Sequence, residues 1–210
     1  MGRRPVGGRT PRRSGFMEIP TRTFIAFALP GRVIRLAADL QARMKCRRVT
    51  MRWVRPENIH LTLKFLGDIR REQMDGVVSA MQAAARGVRP FDLDVQGMGV
   101  FPSIKRPRVL WMGLGGQIER LHDLHARLDD HLASAGHQRE RRPYRGHLTL
   151  ARIKAGVDPG RLLDVIEQEG GFSAEPFQAV ELVLFKSDLR PQGAVYTSLS
   201  QVALENKENG

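Results

Sequence analysis

An α+β fold, a single domain built as two similar lobes, is predicted for this 210-residue chain. Three observations predict it. Strand-like and helix-like segments interleave, and several strands come as adjacent hairpin-like pairs. No low-complexity segment or clear linker divides the chain. A tetrapeptide, His60-Leu61-Thr62-Leu63, returns as His147-Leu148-Thr149-Leu150, as a duplicated lobe would give.

The elements run in order. Residues 22–29 are apolar and bulky, which suggests a buried strand ended by Pro30-Gly31. Val33, Ile34, Ala37, Leu40 and Met44 then recur at helical spacing. Val49 to Val54 and Ile59 to Leu66 are expected as strands joined by a turn over Arg55-Pro56-Glu57-Asn58, with Gly67-Asp68 ending the second. Met74, Val77, Val78 and Met81 mark a helix over about 70–86. Phe91 to Val100 and Arg108 to Leu114 pair across a loop at Pro102–Pro107. Ile118, Leu121, Leu124, Leu128 and Leu132 mark a long helix closed by Gly136. A strand over Gly146 to Ile153, a helix near 159–169 and strands near 177–186 and 194–202 complete the order. The expected boundaries are a basic disordered arm at 1–20, one bilobal domain at 21–203, and a disordered tail at 204–210.

Composition narrows the function classes. The chain is 41% hydrophobic and 27% charged, as in soluble globular proteins. No apolar run approaches the roughly 18–20 residues that span a bilayer. Met1 to Gly15 is rich in Arg, Gly and Pro and lacks the apolar core of a secretory signal. Cys46 is the single cysteine, so neither an intrachain disulfide nor a cysteine-based zinc site is available. A cytoplasmic monomer is expected. The net charge is +12, and the five arginines of the arm account for only part of it. Such a chain favours polyanions, with nucleic acid first among them.

The repeated tetrapeptide carries the chemistry. Residues two apart in a strand share a face, so His60 projects with Thr62 and His147 with Thr149, while the leucines between them face a core. Two such strands side by side would set two imidazoles and two hydroxyls around one cleft. An imidazole with an ordinary pKa near 6.5 serves as base when neutral and as acid when charged. One ring takes a proton from water and the other gives one to a leaving alkoxide. Threonine hydroxyls donate to non-bridging oxygens, and Arg152 would clamp the phosphate. Strict alternation puts Arg152 on the wrong face, so the strand must end or bulge before it. Basic, acid-poor stretches precede both copies: Arg43, Lys45, Arg47, Arg48, Arg52 and Arg55, then Arg139, Arg141, Arg142 and Arg145.

Other residues are weighed against plainer roles. Lys64 shares the alternating face of His60 and Thr62 and is a candidate phosphate contact. Phe65, Phe101 and Tyr144 are candidate base-stacking groups, core packing being the favoured role for Phe65. Phe65, Trp53 and Trp111 are expected in the core. His122 and His125 have a spacing that could serve a metal, but no third ligand is evident, so no metal or other cofactor is expected. His131 is assigned to a helix surface and His137 to a loop. Cys46 has no paired histidine and is not a nucleophile candidate.

Beyond the motif pair, the sequence resembles the 2H phosphoesterases, and within them the RNA 2′,3′-cyclic phosphodiesterase branch, also called 2′-5′ RNA ligases. The resemblance rests on Phe24 to Pro30, Trp53 to Gly67, Pro107 to Trp111, Arg142 to Arg152 and Ser187 to Thr197, and spans about residues 20–202 in order. It implies a bilobal fold with two antiparallel sheets flanking a central groove and helices on the outside, and metal-independent hydrolysis of 2′,3′-cyclic phosphate ends of RNA to a 2′-phosphate. By the same resemblance His60 protonates the leaving O3′, His147 activates water, and Thr62, Thr149 and Arg152 hold phosphate oxygens. Gly146 stands where the family usually has proline. Ligation through a 2′,5′-linkage at the same site, and a non-catalytic RNA-end-binding module, are the alternative readings.

Overall fold

A computed structural model of the chain describes residues 20–47, 51–154 and 156–205. The expected arm (save Pro20), the start of the second strand at Val49, and the tail beyond Glu205 lie outside the described residues. Among the described residues nine strands and four α-helices come in the order β1 (Thr21–Phe27), α1 (Gly31–Cys46), β2 (Met51–Trp53), β3 (Leu61–Ile69), α2 (Arg71–Ala85), β4 (Phe91–Phe101), β5 (Val109–Gly116), α3 (Ile118–Ser134), β6 (Leu148–Ile153), α4 (Pro159–Glu169), β7 (Phe177–Ala179), β8 (Glu181–Arg190) and β9 (Gly193–Ala203). A 3₁₀ turn at Pro56–Asn58 precedes β3.

The strands form one curled antiparallel sheet in the order β7-β4-β5-β6-β3-β1-β8-β9, with β2 also on β6. The two sheets expected from the sequence are its two halves, β3-β1-β8-β9 and β6-β5-β4-β7. A single register pair joins them, Leu61 with Leu148. These are equivalent residues of the two tetrapeptides, so the sequence repeat coincides with the pseudo-twofold of the fold. Two segments depart from the sequence expectation. The stretch near 177–186 is two strands: β7 adds to β4 in one half, and after Val180 the chain enters β8 beside β1 in the other. β3 does not end at Gly67-Asp68 but runs on to Ile69. Leu66 is an extra residue against β1, and Gly67, at φ +72°, takes the left-handed conformation that this bulge needs.

Helix ends obey local chemistry. Asp158 accepts a hydrogen bond from the Gly160 amide at 3.0 Å, with Pro159 opening α4. The Gln73 side chain accepts from the Arg70 amide at the start of α2. The helices pack α1 beside α4 and α2 beside α3, on the face of the sheet away from the groove. Val33, Ala37, Leu40 and Met44 of α1 and Leu121, Leu124, Leu128 and Leu132 of α3 are buried there against Leu61, Leu63, Leu148 and Leu150. The apolar stripes read from the sequence are therefore the ones that hold the sheet.

Candidate active site

His60 and His147 occupy the residue immediately before β3 and β6. Because Leu61 pairs with Leu148 in antiparallel register, the motifs run past each other. Each histidine thus neighbours the other strand's threonine, and both threonines stand on the groove side. His60, Thr62, Thr149 and Arg152 line a groove of about 690 Å³ together with Arg22, Arg52, Phe24, Phe65 and Tyr196. No carboxylate lines it among the described residues.

Both imidazoles are held alike. Nδ1 of His60 lies 2.8 Å from the carbonyl of Asn58, and Nδ1 of His147 lies 2.7 Å from that of Arg145. A carbonyl only accepts, so in each ring Nδ1 carries the proton and donates it, which leaves Nε2 free for proton transfer. Burial lowers the pKa of both rings from 6.5. For His60 the Asn58 bond opposes this and the charge of His147 adds to it. The surroundings differ. Phe24 stacks on His60 at 4.6 Å and Tyr196 meets it edge-on at 5.2 Å, whereas Phe101 meets His147 edge-on at 5.0 Å.

Two matched bulges decide which side chains reach the groove beyond each motif. Against β1, Ala26 faces Thr62 but Ile25 faces Lys64, so Leu63 is extra. Against β5, Trp111 faces Thr149 but Leu110 faces Ala151, so Leu150 is extra. Each bulge reverses the alternation after it. In β6 this brings Arg152 to the groove, meeting the condition that strict alternation had imposed on it. In β3 the same reversal overturns two expectations. Lys64 turns to the buried face, where Nζ donates to Asp129 at 2.5 Å and to the Gln138 carbonyl at 2.7 Å. Phe65, expected in the core, is 65% exposed at the groove. Phe65 is thus the pseudo-symmetric counterpart of Arg152.

Tyr144 is likewise not at the groove surface. Its hydroxyl donates to the Thr62 carbonyl at 3.0 Å, and its ring stacks on His125 at 3.9 Å. Burial raises its pKa. Phe101 keeps a place beside His147. Four of the arginines preceding the motifs have partners within the chain. Arg43 and Arg47 hold Glu169, Arg139 holds Asp130, and Arg55 donates to the Gln192 carbonyl.

A family model described as LigT-like phosphoesterase matches residues 28–111 and again 115–196, one histidine motif falling in each match. The chain belongs to the LigT-like phosphoesterase family. The RNA 2′,3′-cyclic phosphodiesterase of Methanothermobacter thermautotrophicus is 30% identical over 178 residues, covering 85% of this chain and 96% of that protein. The protein of the same name from Aeropyrum pernix is 32% identical over 154 residues, covering 73% and 86%. Among solved structures, TT0787 of Thermus thermophilus superposes with a TM-score of 0.72 at 26% identity, over 89% of this chain and all of that one. Apo LigT of E. coli, 24% identical, shares the fold with a TM-score of 0.69 over 90% of this chain and all of its own.

In this LigT-like phosphoesterase several supporting residues had no motif to announce them. Gln41 of α1 is buried, and its amide donates to the carbonyls of Val54 at 2.8 Å and of the bulged Leu150 at 3.0 Å. Asp129 of α3 accepts from Lys64 and from the Glu140 amide. Both are polar residues at core-facing positions of an amphipathic helix, and that placement was the available signal. Gly146, the departure from the family's usual proline, lies against Leu121 and Leu114: an added Cβ would come within 3.0 and 3.1 Å of their methyls. Close packing thus favours the smallest residue there.

Proposed function

We propose that this protein hydrolyses 2′,3′-cyclic phosphate ends of RNA to 2′-phosphates, with His60 and His147 as paired acid and base and without a metal ion. The observation that carries the reading is the pair of imidazoles, each bonded through Nδ1 to the carbonyl two residues before it and each with Nε2 free beside a threonine. The relatives' names point to the same substrate class.

The cyclic phosphate lies between the rings. Nε2 of His147 takes a proton from a water as its oxygen bonds to phosphorus. The P–O3′ bond breaks, and Nε2–H of His60 gives its proton to O3′, leaving the phosphate on O2′. The Thr62 and Thr149 hydroxyls donate to the non-bridging oxygens, and the Arg152 guanidinium carries the charge that grows there. The buried rings favour the neutral form in the free protein, and the anionic substrate supplies the charge that makes an imidazolium favourable at His60.

The pH dependence tests the pairing. One ring must be charged and one neutral, so the productive fraction of free enzyme peaks between the two pKa values. Both are lowered from 6.5, which sets the maximum of kcat/KM below that pH. On the alkaline side the charged ring is lost, and kcat/KM falls about tenfold per pH unit. Initial rates on a cyclic-phosphate-ended oligoribonucleotide across pH 5 to 9 measure this. A flat profile contradicts the two-histidine mechanism, and a maximum above pH 7 contradicts the lowering of both rings by burial.

A further inference from the structure

We propose that Arg52, beside Arg152, forms a second phosphate subsite that takes the phosphodiester immediately 5′ to the terminal cyclic phosphate. Selection of RNA ends over cyclic mononucleotides is its consequence. The proposal rests on the hydrolase reading above.

The observation is a register pair. In the β2–β6 ladder Arg52 stands directly opposite Arg152, between the pairs Met51–Ile153 and Trp53–Ala151. Directly opposed residues of an antiparallel pair point to the same face, here the groove that both arginines line. Both side chains are exposed. Like charges so placed destabilise a strand pair unless an anion lies between them. No such anion comes from the chain: among the described residues neither arginine takes part in any of the ion pairs, and no carboxylate lines the groove. Arg43, Arg47, Arg55 and Arg139 are each engaged by a carboxylate or a carbonyl, whereas Arg52 and Arg152 stand opposed at the groove with neither among the described residues.

Two guanidinium groups side by side can each take a phosphate of their own. Arg152 comes after its motif through the Leu150 bulge and serves the reacting phosphate. Arg52 sits one strand across from it, about 5 Å away between Cα atoms as such pairs are. A terminal nucleotide with its reacting phosphate against Arg152 presents its 5′ phosphodiester next, and a guanidinium suits a phosphodiester's two free oxygens. A nucleoside 2′,3′-cyclic phosphate has no such group, so it leaves Arg52 unused.

The test compares kcat/KM on a nucleoside 2′,3′-cyclic phosphate and on a dinucleotide ending in one, for wild type and Arg52→Gln, with thermal melting as the fold control. Wild type is expected to prefer the dinucleotide. Arg52→Gln is expected to lose about tenfold on the dinucleotide and nothing on the mononucleotide. The slope of log kcat/KM against log salt for the dinucleotide should shrink by about 0.7, one single-strand phosphate contact. Arg52→Lys should keep part of the preference as a point charge. Equal losses on both substrates, or no loss on either, would overturn the subsite. Turnover of neither substrate by wild type would overturn the hydrolase reading, and this inference with it.

Discussion

His60→Ala and His147→Ala are each expected to lower kcat/KM by about 10²–10⁴-fold, the range of a positioned general acid or base. The loss should fall on kcat. Each ring is fixed by its own Nδ1 bond to a backbone carbonyl, at 2.8 and 2.7 Å, so removing one leaves the other in place. With Thr62, Thr149 and Arg152 holding phosphate as proposed, affinity for a 2′-phosphate product should fall only several-fold. Residues acting as a unit are not additive, so the double variant should be about as slow as the slower single one. Single-turnover kinetics with a binding measurement on the same variants separate the terms. A variant that loses affinity in step with activity would make that histidine a binding group only.

Lys64→Met is expected to destabilise the fold by about 3–5 kcal/mol, the cost of leaving one member of a buried ion pair alone. Lys64 is 6% exposed, and its ammonium lies 2.5 Å from Asp129. Burial by itself would raise the Asp129 carboxyl, but Lys64 and the Glu140 amide outweigh it and hold it below the usual range. A lowered folded pKa means the pair stabilises above the ordinary carboxylate range and is lost as pH falls through the folded value. For a domain of this size the melting temperature should drop by about 10 °C or more at neutral pH. Lys64→Met with Asp129→Leu should recover part of it, since an apolar pair replaces the orphaned charge. Activity should suffer too. Only Leu61–Leu148 joins β3 to β6 by register, and Lys64 also ties β3 to Gln138, on the segment that leads to His147. An unchanged melting temperature would show that the ion pair contributes nothing to stability.

Much of this was legible in the sequence, because its cause is local. The stripes of α1 and α3 and the alternation around each histidine are periodicities of single segments. So the two motifs, their shared face and the α+β order could be read directly. What was not legible depends on bulges, which have no fixed spelling. Leu63 and Leu150 bulge in equivalent places, yet they act oppositely on the residues the alternation points to the groove. Together they bring an expected residue, Arg152, to the groove and remove another, Lys64, replacing it with Phe65. Tyr144 was misplaced for a related reason: its partner, the Thr62 carbonyl, belongs to the other half of the sheet. The aromatic enclosure of His60 by Phe24, Phe185 and Tyr196 comes from three strands distant in sequence, and no local pattern announces it.

The central claim is metal-independent opening of a cyclic phosphate by this groove. The direct measurement is product analysis after incubating wild-type protein, exhaustively chelated and kept in EDTA, with a short RNA ending in a 2′,3′-cyclic phosphate. Phosphorus NMR tells the 2′-phosphate from the 3′-phosphate. Complete conversion to the 2′-phosphate is the predicted result. Loss of activity on chelation with recovery on adding a divalent ion, a 3′-phosphate product, or binding of the RNA end without turnover would each contradict it.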